Sequence, residues 1–211
     1  MKFLEKKIAS FLGFNNILIW NGVKLDKFEK SPEITALTIE KDYFKHEIKI
    51  NIEEREKFGV WCPSPLKDVS FQKENTSVSQ SFKGEGCYWF DKNGVIFAEA
   101  PIVDGNLINK VDDFSGRALS LGDSVLNEKL VSNLIKIFDV LNKSGLGIKS
   151  LKLEKLELQE ISSVSSPPIY FSLRLVPGFT LAAIESLKIV GLDKIQYIDL
   201  RVENRAYYKL K

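Results

Sequence analysis

Ile48-Lys49-Ile50-Asn51-Ile52-Glu53-Glu54-Arg55 alternates without a break. In an extended chain a two-residue period sends the three isoleucines to one face and Lys49, Asn51 and Glu53 to the other. One apolar and one polar face mark a half-buried strand of an antiparallel pair. The partner stands just upstream, from Ile34 to Glu40, with Lys41 to His46 as the turn between them. Further upstream the period lengthens. Phe3, Leu4, Lys7, Ile8, Phe11 and Leu12 recur near 3.6 residues and Gly13 ends them, which predicts an amphipathic helix; a second short helix is expected over Gly22 to Glu29, before Ser31-Pro32. This helix-helix-strand-strand unit closes near Arg55.

Downstream, a polar segment with Pro63, Pro65 and a Ser/Thr/Gln run from Asn75 to Ser81 reads as a loop. Gly86 to Phe90 and Val95 to Ala100 then flank Asp91-Lys92-Asn93-Gly94, a hairpin whose glycine can take the positive φ of the turn. Leu126, Leu130, Leu134, Ile137 and Leu141 predict the longest helix, from Ser124 as N-cap to Lys143, with Gly145 just beyond. Leu151 and Leu153 alternate in one phase and Leu156 and Leu158 in the other, which predicts one long strand with a bulge. After a Ser/Pro loop, Ser162 to Pro168, come a strand from Ile169 to Leu175 and a short helix from Thr180 to Val190 closed by Gly191. The last two strands are Ile195 to Val202 and Ala206 to Leu210, joined by Glu203-Asn204-Arg205. In the first of them Ile198, Leu200 and Val202 are expected to face the core. Asp199 and Arg201 share the other face, with Arg201 bonded to a carboxylate or to backbone carbonyls in a structural role. Eight or more strands, about four helices and no sustained βαβ alternation predict an α+β fold with a mainly antiparallel sheet.

Length and charge bound the function. With 211 residues the chain can hold one large domain or two small ones, and 44% apolar and 11% aromatic residues are those of an ordinary folded protein. Thirty basic residues against 28 acidic ones, interleaved, leave a net charge of +2 and no basic stripe for nucleic acid. No stretch approaches the roughly 20 apolar residues that a membrane-spanning helix needs. The segment Met1 to Phe14 lacks the continuous apolar region of a secretory signal.

Residues for catalysis are sparse. The single histidine, His46, sits between Lys45 and Glu47 in a turn, so no hydroxyl nucleophile has an imidazole beside it and no zinc site can be assembled. Neither a GxSxG elbow nor a phosphate-binding loop is present, and no cofactor is expected. Paired carboxylates such as Glu53-Glu54 and Asp112-Asp113 point to opposite faces when extended. A glycosidase pair formed by acids distant in sequence is the one enzyme reading left open. Trp61, Tyr88, Trp89 and Phe90 read as sheet core or as a ligand shelf. Of Tyr207 and Tyr208, adjacent on the final strand, one is expected to pack inward and the other to show its ring. Cys62 and Cys87 are the only cysteines, in neither a CxxC nor histidine company, and are a disulfide or two thiols according to compartment. Cys62 follows the Glu-Arg-Trp stretch and Cys87 opens the next hairpin, a placement that predicts a bridge stapling the loop between them.

The order of these motifs resembles the FtsQ/DivIB family of bacterial division proteins. Ser31-Pro32-Glu33-Ile34 is similar to the opening of that family's POTRA hairpin. Ile48 to Arg55 followed by Trp61 resembles its domain junction, and Tyr88 to Phe97 the first hairpin of its β-domain. Tyr197-Ile198-Asp199-Leu200-Arg201 and Asn204-Arg205-Ala206-Tyr207-Tyr208 are similar to its closing strands. The chain departs from the family at Asp42-Tyr43-Phe44, where a proline is frequent, and in its cysteine pair.

The resemblance implies a POTRA-like domain over residues 1–58, lacking its first strand and the upstream transmembrane helix, and a β-domain over residues 59–211. It implies a non-enzymatic scaffold on the outer face of the cytoplasmic membrane at the division septum. The partners would be FtsB/DivIC-like and FtsL-like coiled-coil proteins and, indirectly, the septal peptidoglycan synthase. The partner-binding edge would be Arg205, Ala206, Tyr207, Tyr208 and Lys209; Glu54, Arg55 and Trp61 would mark the junction. The alternative is a POTRA-type module of an envelope transport or assembly system.

Overall fold

The computed structural model describes residues 31–45, 47–63, 86–102 and 105–211. The two helices expected before residue 31, His46 and the Ser/Thr/Gln run lie outside the described residues. The chain divides into two compact units, Met1–Arg55 and Glu56–Lys211. The division falls ahead of the expected 58/59 boundary, and hydrogen bonding explains why. Arg55 is tied back within the first unit, its backbone N–H donating to Glu33 O and its Nε to Pro32 O. Phe58 already belongs to the second: its N–H donates to Phe90 O and its ring stands edge-on to Phe90 and Phe138.

In the first unit β1 (Ile34–Asp42) and β2 (Glu47–Glu54) form an antiparallel hairpin. Ile52 lies opposite Leu37 and Ile50 opposite Ile39, so the apolar rows of both strands meet. Ile48, Ile50 and Ile52 are half-buried while Glu47, Lys49, Asn51 and Glu53 are exposed, as the alternation requires.

The second unit is a mixed α+β structure with a nine-stranded sheet and, among the described residues, two α-helices. Its strands are β3 (Gly59–Pro63), β4 (Cys87–Phe90), β5 (Ile96–Ala100), β6 (Lys110–Asp113), β7 (Ser150–Leu153), β8 (Glu160–Ser163), β9 (Ile169–Ser172), β10 (Ile195–Leu200) and β11 (Tyr207–Leu210). Their order across the sheet is β11-β10-β9-β8-β7-β6-β3-β4-β5. Three neighbouring pairs are parallel (β3–β6, β6–β7 and β9–β10) and five antiparallel. Helix α1 (Glu128–Lys143) carries the chain from β6 to β7 and α2 (Thr180–Val190) from β9 to β10. The sheet therefore contains two βαβ crossovers that the sequence pattern hid. Lys110-Val111-Asp112-Asp113 is only four residues long and half acidic, and Val111 alone in it favours a strand.

Both helices share one core with the sheet: Leu134, Ile137 and Leu141 of α1 and Ile184 and Leu187 of α2 pack with Trp61, Val111, Leu151, Phe171, Ile198 and Leu200. Helix α1 begins later than expected. Asn127, not Ser124, is its N-cap, with Oδ1 accepting from Leu130 N at 3.0 Å. Ser124 is drawn to the sheet instead, bridging to Val95 while Val125 N donates to Gly94 O. The phase slip at Leu153 to Leu158 is a hairpin rather than a bulge. A 3-10 turn over Leu156–Leu158 and a left-handed Gln159 (φ 52°) reverse the chain, and β8 runs back antiparallel to β7. Leu156 packs on the core and Leu158 is exposed.

Among the described residues no helix is long and apolar enough to cross a membrane.

Candidate binding edge

A sheet of nine strands has two edges, and this one treats them differently. On one side β5 is sheltered where it leaves its turn. Ile96 N donates to Asp123 O, Gly122 N donates to Ile96 O, and Val125 N donates to Gly94 O, so a segment of the chain lies along the strand. On the other side, among the described residues, β11 pairs only with β10, and all four of its residues are exposed. A strand in that position offers a row of backbone N–H and C=O groups to another chain.

The register shows what β11 presents. Tyr208 lies opposite Ile198, Leu210 opposite Ile195 and Tyr207 opposite Asp199. Ile195 and Ile198 are fully buried under the helices, so Tyr208 and Leu210 are on the helix-bearing face and Tyr207 and Lys209 on the open one. The register shift between Ile195 and Tyr197 takes up the extra residue on β10. The expectation that one tyrosine packs inward is overturned: Tyr207 and Tyr208 are 48% and 46% exposed. At the last strand both faces are only partly covered, so the inside-outside alternation of the inner strands gives way to two half-exposed rings. Ala206 packs partly against the core, and Arg205 Nη1 donates to the Tyr207 hydroxyl at 3.4 Å, which raises the Arg205 pKa.

Behind the edge, Arg201 locks the end of β10. Its Nε and Nη2 donate to the two carboxylate oxygens of Asp199 (2.9 and 2.6 Å) and its Nη1 to Glu160 Oε2 on β8 (2.8 Å), while the guanidinium stacks over Tyr170. The Arg201 hydrogen bond holds the Asp199 carboxyl below its ordinary pKa, and Asp199 and then Glu160 push the guanidinium up. The fork shape of guanidinium matches this two-carboxylate clasp. Glu160 lies 41 residues away in sequence, and no spacing signal could have found it. Ile198 and Leu200 face the core as expected, but Val202 does not: β10 ends at Leu200, the chain turns, and Val202 is exposed.

The other predicted site residues lie elsewhere. A disulfide joins Cys62 to Cys87, one step along β3 and β4 from the paired Trp61 and Tyr88, with Cα atoms 4.2 Å apart. Trp61 is fully buried and its indole N–H donates to Asp113 Oδ2 at 3.0 Å. Arg117 donates to the same oxygen, which satisfies a carboxylate that is itself buried. Glu54 is exposed at the end of β2, and Arg55 holds Pro32 and Glu33 as described. Trp61 is thus a core residue of the second unit and Arg55 a clasp of the first. Among the described residues no cluster of histidine, cysteine or carboxylates could hold a metal ion. No family model matches the chain, and no curated protein matches it.

Proposed function

We propose that this chain is a non-enzymatic scaffold of the bacterial division machinery, of the FtsQ/DivIB type, and that β11 receives an extended segment of a DivIC/FtsB-like partner as a tenth strand. The observation that carries this reading is the open β11 edge with its two half-exposed tyrosines, beside an opposite edge that is sheltered at β5. Strand addition supplies register through main-chain hydrogen bonds and specificity through alternate side chains. An edge of this kind left bare invites aggregation, so a partner accounts for its presence. The β1–β2 hairpin would be the closing part of a POTRA-type domain that bears on recruitment, with FtsL-like proteins and the septal synthase assembled through the same complex. The Cys62–Cys87 disulfide suits an extracytoplasmic position, where such bonds persist.

The test is titration of the parent chain and of Tyr207→Ala, Tyr208→Ala and Ala206→Pro with the partner's extracytoplasmic fragment. Aromatic anchors typically cost about 2 kcal/mol on truncation, so at least one tyrosine variant should bind roughly 30-fold more weakly and the proline variant should lose strand pairing. If all three remain folded and bind like the parent, the edge is not the binding site.

A further inference from the structure

Helix α2 packs on the face of the sheet that Tyr208 and Leu210 share on β11. Thr180, Ile184 and Leu187 turn toward the sheet and are buried. Lys188 reaches back to Ser144 O at the end of α1, which places that flank of α2 toward α1. At 3.6 residues per turn Ala183 and Val190 then stand on the opposite flank, toward β10 and β11. Val190 is partly exposed, and Tyr208 and Leu210 share this helix-bearing face of the sheet, with exposed Val202 in the turn before β11. An apolar shelf therefore borders the edge on one face of the sheet only.

The other face carries charge beside the Tyr207 ring. Lys209 projects there opposite Tyr197, and Arg205 is held there by the Tyr207 hydroxyl. Neither cation forms an ion pair among the described residues, whereas Arg201 further in is saturated by Asp199 and Glu160. The only carboxylate side chain between Arg201 and Lys211 is Glu203, so the edge carries an excess of positive charge.

Resting on the strand-addition reading above, we propose that the segment received by β11 is amphipathic as a strand: apolar at every second position, against Tyr208, Leu210 and the α2 flank, and acidic at the positions between, against Arg205 and Lys209. Side chains of an added strand alternate between the faces of the sheet, so one strand meets both surfaces at once without a change of register. The apolar row extends a core that already ends in Ile195 and Ile198, and the acidic row gives the encounter a salt-dependent rate.

Three blocked octapeptides test this with the whole chain: alternating Glu-Val, alternating Lys-Val, and a peptide of the Glu-Val composition with four valines followed by four glutamates. Binding is read from hydrogen-exchange protection of the Tyr207 to Leu210 amides and from a titration. The Glu-Val peptide should protect these amides and bind at least tenfold more tightly than the other two. Leu210→Asp should weaken it at least tenfold, and Lys209→Glu should shift preference toward the Lys-Val peptide. Both residues are exposed, so the fold tolerates the changes. Equal binding of the blockwise peptide, or no charge preference that Lys209→Glu alters, overturns the proposal. If no peptide protects β11 but the partner fragment does, the proposal fails and the strand-addition reading stands. If the partner fragment also leaves β11 unprotected, both fall.

Discussion

The disulfide and the Asp199–Arg201 clasp are pairings that can be probed one bond at a time. Cys62 and Cys87 are 25 residues apart, and a cross-link over a loop of that length constrains the unfolded chain by roughly 3 kcal/mol. The Cys62→Ser/Cys87→Ser double variant is expected to unfold in urea with a ΔG lower by about that amount, and dithiothreitol to bring the parent down to it. A reductant-insensitive parent would mean the bond is not formed. Asp199 adds a pH dependence of definite sign. Its carboxyl titrates below the ordinary value when folded, because Arg201 hydrogen-bonds the ionised form. Its contribution is therefore complete above the unfolded value of about 4 and is lost as pH falls through the lowered folded pKa. Asp199→Asn should cost about 1 kcal/mol at pH 7 and show a shallower loss of stability below pH 4 than the parent. Identical acid limbs for the two proteins would show that the clasp does not stabilise the fold. The shared face of Asp199 and Arg201 was legible from their spacing of two along a strand. Glu160 was not, because it reaches Arg201 only through the ordering of β8, β9 and β10.

Turns and caps determined which elements could be read. Asp91-Lys92-Asn93-Gly94 announces its hairpin because a buried Asp91 accepts from the N–H groups of Asn93 and Val95, and Gly94 adopts φ +78°. A side chain at Gly94 would meet Val131 on α1, with a Cβ only 2.5 Å from Val131 Cγ2. Gly94→Ala thus combines a left-handed backbone with an overlap and should destabilise by about 2–4 kcal/mol. Adding Val131→Ala should recover part of that loss in a double-mutant cycle of urea midpoints; a cycle with no coupling would place the whole cost in the backbone. The turn after β7 gave no such warning. Lys155 to Gln159 contains neither glycine nor proline, and the left-handed position is filled by Gln159. Helix α1 illustrates a third case. Ser124 and Asn127 are both good caps by type, and the sheet claims Ser124 through its bridge to Val95 before the helix can use it.

As a whole the molecule divides between Arg55 and Glu56, with the disulfide, both described helices and the nine-stranded sheet on one side of the division. A fragment of residues 56–211 is expected to fold alone and to keep the urea midpoint reported by Trp61 and Trp89 in the full chain. A fragment that loses near-ultraviolet dichroism would show that the two units are not autonomous. Alternation and turn chemistry determined by themselves the β1–β2 hairpin, the β4–β5 hairpin, the body of α1, the span of α2 and the face assignment along β10. These are local properties, because a period of two or 3.6 and a glycine at positive φ act within a few residues. Only the tertiary structure decided that β6 exists, that two helices connect parallel neighbours, and that β11 ends the sheet among the described strands with both tyrosines half-exposed. A four-residue strand draws its hydrogen bonds from partners 40 or more residues away, and a position becomes an edge only when every other strand has found its place.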